Sequence, residues 1–399
     1  MSHVLVIGAG PAGLMAADVV STAGHHVTVV DQMPSVGRKF LMAGKSGLNL
    51  TKADPADVFL NAYGAVSPQI ATALKDFGPD SVQDWARGLG QEIFTGSTGR
   101  VFPKAMKASP LLRAWLARLA DAGVTFHTRW QWNGWRDNAP TFATPNGPES
   151  LQADAIILAT GGGSWARLGA DGRWAAHLDE TIPFQPSNCG FAVDWTTHMA
   201  PVFGQPVKAT KLQAGEMSSR GEWIISARGI EGGGVYTLSA ALRDGAPLTI
   251  DLMPDLSAEA IAARISRAGK KASRKQRLAQ VLRLPKAKVA LFNECTKDRD
   301  LSTPARFAGA VKSIALPLNG PLPMDEAIST VGGLRQDTLT AEFMLTARPG
   351  VFAAGEMIDW DAPTGGYLIT GCLAMGRAAG KGALHWLNAT TNHGDSAPD

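Results

Sequence analysis

The stretch "HVLVIGAGPAGLMAADVVSTAGHHVTVVDQ", residues 3–32, decides the fold. Residues 4–7 are an apolar run typical of a buried strand, and residues 14–23 have the composition of a helix. Between them lies G-x-G-x-x-G, residues 8–13, and "HHVTVVD" gives a second strand that ends at Asp31. A strand, a glycine-rich turn, a helix and a second strand together predict a βαβ unit that binds a dinucleotide.

Each glycine of this turn has a structural role that explains why glycine stands there. Gly8 permits the tight turn, Gly10 lets the backbone approach a pyrophosphate, and Gly13 lets the helix pack closely on the strand. The start of the helix offers free N–H groups and its positive dipole end to the phosphates. Asp31 is placed to accept hydrogen bonds from ribose hydroxyls and would repel the 2′-phosphate of NADP. The unit therefore predicts FAD or NAD.

The segment that follows favours FAD. An NAD-binding domain would continue its alternation of strands and helices, whereas this chain reads "GRKFLMAGKSGLNLTKAD" at residues 37–54. A glycine-rich loop with basic and hydroxyl side chains suits contacts along an extended cofactor. A solvated basic loop is the alternative that the residues leave open.

Two later segments predict further strands of the same sheet. They are "ADAIILATGGG", residues 153–163, and "GVFAAGE", residues 350–356, and each ends in small residues. Ligands of open α/β sheets bind at this carboxyl edge. The segment "GVFAAGEMIDWDAPTGGYLITGCLAMGRAAG", residues 350–380, is therefore interpreted as the second pole of one long cofactor site. Glu356 would accept from ribityl or ribose hydroxyls, and a helix from about Tyr367 would direct its positive end at the flavin ring.

Length, charge and cysteines limit the class of protein. A chain of 399 residues predicts two or more units, and a net charge of +3 gives no reason to expect a nucleic-acid partner. The three cysteines form no C-x-x-C pair, which predicts a reduced, cytoplasmic environment. No apolar run has the length of a membrane span, a signal peptide is not expected, and the histidine spacings predict no metal.

The middle of the chain differs in composition. Short β-rich runs broken by glycine and proline predict a β-rich domain at 188–323, which would interrupt a cofactor domain made of 1–187 and 324–390. Residues of about 257–308 are predicted to be helical, with Ser257 as the N-cap, and residues 391–399 are predicted to form a disordered tail. The basic cluster from Lys270 to Arg277 is interpreted as a solvated helical face, with an RNA-binding patch as the alternative.

The motifs resemble a known family. "VIGAGPAGLMAA", "GRKFLMAGKSGLNLTK", "ATGGGSWARLGADG", the "GGL" of residues 332–334 and "FAAGEMIDWDAPTGGYLITGCLAMGRAAG" are spread over nearly the whole chain. They are similar to the aminoacetone-oxidase-like family of bacterial FAD-dependent oxidoreductases, within the two-dinucleotide-binding-domain flavoproteins. The resemblance implies an α/β fold with a discontinuous Rossmann-like FAD-binding domain. It also implies an inserted β-barrel-like domain that carries a helical subdomain.

The βαβ pattern and the resemblance together predict the residues that bind FAD. They are Gly8, Gly10, Pro11, Ala12, Gly13, Asp31, Gln32, Arg38, Lys39, Gly44, Asn49, Thr160, Gly161, Gly355, Glu356, Gly365, Gly366 and Tyr367. Where the family often has Glu after the second strand, this chain has Asp31. Where the family loop reads G-G-G-R-C-N-x-T, Gly47 and Leu48 replace the Arg and the Cys, so the resemblance does not carry over an activity that depends on either. The chain is interpreted as a divergent member.

The flavin would carry the chemistry, so few catalytic side chains are required. Tyr367 and Glu231 are the candidates, and Cys372 is either a ring contact or a small packing residue. The first expectation is an FAD-dependent oxidoreductase that takes a hydride from a small amine or a related CH–XH substrate and passes the electrons to oxygen or another acceptor. The alternatives are an NAD(P)H-dependent reductase of an activated C=C or C=O bond and an FAD-binding protein that acts through an RNA or protein partner. A second G-x-G-x-x-G unit is missing from the sequence, so an NAD(P)H-linked partner would have to bind without one.

Overall fold

The structure, a computed structural model, describes residues 1–43, 47–268 and 272–394. The chain separates into two compact units by its internal contacts. The first unit combines Met1–Gln185 with Ser329–Asp399, and the second is Pro186–Ile328. One unit is therefore discontinuous in sequence and the other is inserted into it. The domain bounds predicted from the sequence, 1–187 with 324–390 and 188–323, stay a prediction.

The strands are short. In chain order they are β1 (His3–Ile7), β2 (His26–Asp31), β3 (Thr51–Lys52), β4 (Ile93–Thr95), β5 (Arg100–Pro103), β6 (Thr125–Thr128), β7 (Gln131–Arg136), β8 (Ala139–Thr144), β9 (Gly147–Ser150), β10 (Ala155–Leu158), β11 (Thr181–Ser187), β12 (Phe191–Ala192), β13 (Pro206–Val207), β14 (Lys211–Ala214), β15 (Met217–Ser219), β16 (Trp223–Ser226), β17 (Gly229–Glu231), β18 (Leu248–Asp251), β19 (Ile314–Leu316), β20 (Ser329–Leu334) and β21 (Val351–Ala353).

The helices include one long element at the C-terminal end. They are α1 (Pro11–Thr22), α2 (Arg38–Ala43), α3 (Ala56–Asn61), α4 (Pro68–Asp76), α5 (Pro79–Gly88), α6 (Ala108–Asp121), α7 (Gly233–Tyr236), α8 (Ser239–Arg243), α9 (Ala258–Arg267), α10 (Arg274–Gln276), α11 (Lys286–Cys295), α12 (Pro304–Lys312) and α13 (Tyr367–Gly394). A π-helical turn, Arg277–Val281, continues α10, and short 3₁₀ turns include Arg173–His177 and Gly355–Met357.

A five-stranded parallel sheet in the order β21-β10-β1-β2-β6 organises the first unit. β1 lies at its centre and pairs in parallel with β10 and with β2, with Val6 opposite Ile157 on one side and Val29 on the other. Val4, Leu5 and Val6 are wholly buried. Burial on both faces is typical of a central parallel strand, which explains why the run is continuously apolar. The predicted α/β fold with a Rossmann-like parallel sheet is confirmed.

Small residues let α1 and α13 pack closely beside this sheet. A Cβ atom on Gly376 of α13 would lie closer than 3.0 Å to the backbone of Ala12, and one on Gly380 would lie 3.1 Å from the carbonyl oxygen of Ala16. Glycine at both positions therefore permits a backbone approach that larger residues would prevent. The last helix of the chain is in this way packed against the first.

The second unit is antiparallel in its pairing and has its own core. Its strands form two four-stranded sheets, β12-β17-β16-β13 and β15-β14-β18-β19. Trp223, Phe191 and Phe292 are among its fully buried side chains. The two ends of the unit are adjacent, because the Ile328 amide donates to the Asn188 carbonyl over 3.3 Å.

Some predicted details differ from the structure. The strands predicted as a β-barrel-like domain pair as two separate sheets. The predicted helical segment is several short helices, α9 to α12, with Ser257 capping α9 as expected and α12 extending to Lys312. Residues 391–394 continue α13, where the sequence predicted the start of a disordered tail, because the helix contains no proline that would end it earlier. Residues 395–399, Gly44, and Lys270 and Lys271 of the basic cluster lie outside the described residues.

Candidate functional site

The glycine-rich turn has three glycines with three different surroundings. Gly8 has a φ of +106°, and a Cβ there would lie closer than 3.0 Å to the Ala159 carbonyl. A Cβ on Gly13 would collide with the backbone of Gly8, while a Cβ on Gly10 would meet no atom within 4 Å. Two of the glycines therefore hold the turn, α1 and β10 together. The third leaves open space at the start of α1, as a bound pyrophosphate requires.

Asp31 lies at the carboxyl end of β2, as the sequence predicted, but both of its oxygens already bind the protein. Its Oδ2 accepts from the Ala9 amide over 2.9 Å, and its Oδ1 accepts from the Met33 amide over 2.8 Å. Burial raises the pKa of this carboxyl group, and the two amides oppose that shift. Each carboxylate oxygen keeps a further lone pair. Asp31 therefore stabilises the turn, and a bound ribose would share its carboxylate with these two amides.

A cavity of about 360 Å³ opens at this edge of the sheet. Of the predicted residues it is lined by Gly8, Gly10, Pro11, Ala12, Asp31, Gln32, Arg38, Lys39, Thr160, Gly161 and Glu356. Gly13, Asn49, Gly355, Gly365, Gly366 and Tyr367 are absent from its lining in the described part of the chain. The lining comes from β1, α1, β2, α2 and the ends of β10 and β21. More than 300 residues separate β1 from β21 along the chain. The assignment of these residues to FAD stays a prediction.

Aromatic side chains form part of the cavity wall, and the sequence reasoning missed them. Trp130, Trp132, Trp174 and His177 line the cavity. The Trp174 indole donates to the Gly161 carbonyl over 2.8 Å, and the rings of Trp132 and His177 meet edge to face at 5.1 Å. Burial lowers the pKa of His177, so its ring is predominantly neutral at pH 7. The abundance of tryptophan was visible in the sequence, but nothing in the local pattern distinguished these residues from core residues.

A partly buried ion pair joins two predicted residues that are distant in sequence. The Lys39 ammonium lies 2.7 Å from Oε2 of Glu356 and 3.0 Å from the Ser164 hydroxyl. The other oxygen of Glu356 accepts from the Thr330 amide over 3.1 Å. Glu356 is only 7% exposed, so its charge requires these partners. The network fixes one carboxylate and one ammonium on the wall of the cavity.

Cys372 lies on α13 at the same cavity. Burial, together with the charge of the nearby Glu356, raises the pKa of its thiol to about 12. The thiol is therefore protonated near neutral pH and is a weak nucleophile. This favours the packing role over a covalent bond to a flavin ring.

Tyr367 begins α13 and is held in place by several side chains. Its hydroxyl donates to Oδ2 of Asp54 over 2.6 Å and lies 3.3 Å from the Lys52 ammonium. Its ring stacks on Phe59 at 4.7 Å, and the Tyr63 hydroxyl donates to its carbonyl over 2.7 Å. Burial and the Asp54 carboxylate raise the pKa of the Tyr367 hydroxyl. This geometry suits a residue that positions the start of α13 more than it suits a proton donor. The predicted catalytic role of Tyr367 stays untested.

Two of the predicted residues each have a buried polar atom without a hydrogen-bond partner among the described residues. The Nε atom of Arg38 and the Oδ1 atom of Asn49 have no hydrogen-bond partner among the described residues. Gly365 has a φ of +116°, and a Cβ there would lie 3.9 Å from Nδ2 of Asn49. Buried polar groups in native proteins are nearly always paired. Arg38 and Asn49 are therefore available to a bound group with complementary polar atoms, and a dinucleotide has them.

Glu231 belongs to the second unit, where it ends β17. The glycines after it lead into the short helix α7 rather than forming the turn of a hairpin. Its neighbour Arg228 is engaged by both carboxylate oxygens of Glu326. The proposed role of Glu231 toward a substrate stays a prediction.

The described residues contain no candidate metal site and no candidate membrane span. No group of three or more His, Cys, Asp or Glu side chains in that part of the chain is placed to hold a metal ion. None of the helices that the structure describes is long and apolar enough to cross a membrane.

Two curated proteins are similar in sequence to almost the whole of this chain. It is 25% identical to a 3-dehydro-bile acid delta(4,6)-reductase of Clostridium scindens, over 96% of this chain and 99% of that protein. It is 24% identical to a ribosomal RNA dihydrouridine synthase of Escherichia coli, over 91% of this chain and 93% of that protein. Neither relative is named for the oxidation of an amine.

Solved structures agree at the level of the fold. A 3-ketosteroid-delta4-(5alpha)-dehydrogenase of Rhodococcus jostii superposes with a TM-score of 0.50 at 16% identity, over 96% of this chain and 97% of that chain. A flavocytochrome c3 fumarate reductase gives the same TM-score and identity, over 96% of this chain and 78% of that chain. At 16% identity these likenesses show a shared fold, and the cavity at the glycine-rich turn agrees with the FAD cofactor that the sequence predicts.

A family model described as the HI0933-like protein Rossmann domain matches residues 2–382. The match spans the sheet, the glycine-rich turn, the inserted unit and most of α13. The superfamily predicted from the motifs is thus confirmed, while neither of the two relatives named above singles out the aminoacetone-oxidase-like branch. The chain belongs to the HI0933-like family of Rossmann-fold flavoproteins.

Proposed function

We propose that this protein is an FAD-dependent reductase of a carbon–carbon double bond conjugated to a carbonyl group. The observation that supports this most strongly is the shared chemistry of two relatives that match over almost their whole lengths. One is named for reducing the double bonds of a 3-oxo steroid acid, and the other for producing dihydrouridine in RNA. The double bond lost in dihydrouridine is also conjugated to a ring carbonyl. This was the alternative reading of the sequence, and it now replaces amine oxidation as the first proposal.

The side chains present fit the cofactor. The open space at Gly10, the carboxylate of Asp31 and the unpaired Arg38 Nε suit the pyrophosphate and ribose of a dinucleotide. When bound, FAD would supply hydride chemistry at its isoalloxazine ring. Glu356, held by Lys39, would accept from hydroxyl groups of the cofactor. The start of α13, fixed by Tyr367, presents the positive end of a helix dipole, which favours a ligand that carries negative charge.

The electron balance requires an external donor. Reduction of one double bond consumes one hydride and one proton, and oxidation of NAD(P)H to NAD(P)⁺ provides two electrons as that hydride. The sequence holds one G-x-G-x-x-G turn. We therefore propose that NAD(P)H enters, reduces the enzyme and leaves as NAD(P)⁺, rather than occupying a second dinucleotide-binding domain.

An anaerobic experiment tests the proposal. The FAD-loaded protein is mixed with NADH or NADPH under nitrogen, and the absorbance of oxidised flavin is followed. A 3-oxo-4-ene steroid or a uridine-containing RNA is then added, with the saturated ketone or a dihydrouridine-containing RNA as the matched control. We expect bleaching by one nicotinamide, and recovery of absorbance with one unsaturated probe only. The product should be two hydrogen masses heavier by mass spectrometry.

The rival readings give different outcomes. Anaerobic bleaching by a small amine, with no bleaching by either nicotinamide, would support amine oxidation and overturn the reductase proposal. Protein that takes up no FAD at all would remove the basis of both. Recovery with RNA alone would assign the substrate to the nucleic-acid class, which the sequence did not lead us to expect.

A further inference from the structure

A second cavity, of about 510 Å³, lies wholly within the inserted unit and is distinct from the dinucleotide turn. Its wall is mainly apolar, with Val207, Leu252, Leu256, Leu284 and Ala287 among the lining residues. It lies where the ends of β13 and β18 meet the start of α11. A cavity of this size and polarity is within the range of small-molecule sites.

One buried cation stands in this apolar wall. Lys288 is only 6% exposed, and its Nζ donates to the carbonyls of Ala209 and Leu252, each over 2.8 Å. All three residues line the cavity, which places the ammonium at its wall. An ammonium has three N–H donors, and the third has no acceptor among the described residues. Burial lowers the pKa of the Lys288 ammonium, and the nearby charges of Asp251 and Asp255 oppose that shift. Lys288 therefore keeps one donor for a further partner.

No carboxylate of the described residues forms an ion pair with Lys288, because the neighbouring acids are already paired. Asp251 lies 2.7 Å from the Lys312 ammonium, and Asp255 lies 2.6 Å from the guanidinium of Arg220. On the rim, the Lys208 ammonium is paired with Glu222 at 2.8 Å. A buried charge without a counter-charge is costly. The cavity thus has an excess of positive charge.

The position of Lys288 in its helix adds to that excess. It lies in the first turn of α11, after Pro285, which provides no side-chain cap. A cation at the positive end of a helix is unfavourable, whereas an anion there is favoured. An anionic group beside Lys288 would therefore be attracted by the ammonium and by the start of α11 together.

Two residues on the rim of the cavity have left-handed backbone conformations. Ala209 has a φ of +48° and Arg283 a φ of +54°, and neither residue type adopts this region readily. Strain of this kind is concentrated at ligand sites. Arg283 is also exposed, and its guanidinium forms no ion pair with the described residues. A second cation thus stands at the edge of the cavity.

We infer that the cavity of the inserted unit binds a small apolar carboxylic acid, with the carboxylate on Lys288 and the hydrocarbon body against the leucine-lined wall. A phosphate of RNA fits less well, because a strongly hydrated polyanion would gain nothing from the apolar wall. The site is independent of the proposed reductase activity, since all of its residues belong to the inserted unit.

Calorimetry on the full-length, FAD-loaded protein tests this inference with defined probes. Decanoate and 2-naphthoate are titrated, with decanol and 2-naphthalenemethanol as uncharged controls of similar shape. We expect one saturable site for at least one carboxylate and binding at least about tenfold weaker for its alcohol, since a charge-assisted hydrogen bond is lost. This comparison uses only the natural protein, so it does not depend on a variant that folds.

A variant pair then assigns the binding to Lys288. Lys288→Met keeps a similar volume, and we expect it to weaken carboxylate binding at least about tenfold while binding of the alcohol changes little. Lys286→Met is the matched control, because it removes an exposed charge from the same helix turn. Flavin absorbance checks that each variant is folded. No saturable carboxylate binding, equal binding of acid and alcohol, unchanged binding in Lys288→Met, or displacement of the carboxylate by RNA would each overturn the inference.

Discussion

Two glycines of the same turn have different tasks, and single substitutions separate them. Gly13→Ala places a Cβ against the backbone of Gly8, so we expect the unfolding free energy of the apoprotein to fall by roughly 3 kcal/mol or more. Gly10→Ala meets no protein atom and has an ordinary φ of −83°, so its cost should stay below about 1 kcal/mol. FAD affinity should nevertheless fall at least about tenfold in Gly10→Ala, because the added methyl group enters the space of the pyrophosphate.

Urea denaturation of the apoproteins and fluorescence titration with FAD measure the two effects. Each variant serves as the control for the other. An apoprotein of Gly10→Ala that is as unstable as Gly13→Ala, or that binds FAD as tightly as the natural protein, would contradict this division of tasks.

Cys372 allows a prediction about reactivity. With a thiol pKa of about 12, roughly one molecule in ten thousand carries the thiolate at pH 8. We expect iodoacetamide at pH 8 to leave Cys372 unmodified in the folded protein and to alkylate it after unfolding in urea, as read by peptide mass spectrometry. Acid precipitation should release all of the flavin into solution. A folded-state adduct at Cys372 within minutes, or flavin that stays with the precipitate, would show that the thiol is activated.

At the residue scale, sequence reasoning succeeded where the backbone dictates the residue type. Gly8 and Gly13 are required by close contacts that any such turn must make. Sequence reasoning did not predict the ion pair between Lys39 and Glu356, because the two residues are far apart along the chain and each was assigned separately to the cofactor. Lys288 was missed for a similar reason: its carbonyl partners, on Ala209 and Leu252, come from other segments.

Among the elements, the packing of α1 on α13 gives the clearest prediction. A Cβ on Gly376 would collide with the backbone of Ala12, next to the glycine-rich turn. We expect Gly376→Ala to lower the unfolding free energy by about 2 kcal/mol or more and to weaken FAD binding, because α1 must move. Gly88→Ala in α5 is the control, since a Cβ there meets no atom within 4 Å. Thermal unfolding and FAD titration of both variants give the comparison, and equal stability of the two would exclude a tight helix contact.

The elements were predictable to different degrees. β1, α1 and β2 followed from hydrophobic pattern and turn chemistry together, and α13 begins at Tyr367 as expected. The inserted strands were recognised as β-rich, but their division into two sheets depends on pairing between distant segments, such as β18 with β19. Local pattern carries no information about such pairing.

For the whole molecule, the division into two units predicts separable folding. The inserted unit has its own core around Trp223, and its two ends are joined by the hydrogen bond between Ile328 and Asn188. We expect a fragment of residues 186–328 to unfold in one cooperative urea transition and to bind no FAD. Circular dichroism and flavin fluorescence measure both. A fragment without a cooperative transition would mean that the insertion needs the first unit to fold.

The position of α13 and β21 has a consequence for protein synthesis. The ribosome makes the glycine-rich turn more than 300 residues before β21, which pairs with β10, and α13, which covers α1. The cofactor domain therefore cannot close around its ligand until both of these elements have been made, whereas the inserted unit is complete before them and can fold on the nascent chain. Until α13 has emerged from the ribosome, the apolar surface of α1 stays uncovered. The nascent chain is thus a predicted client of chaperones that shield apolar segments.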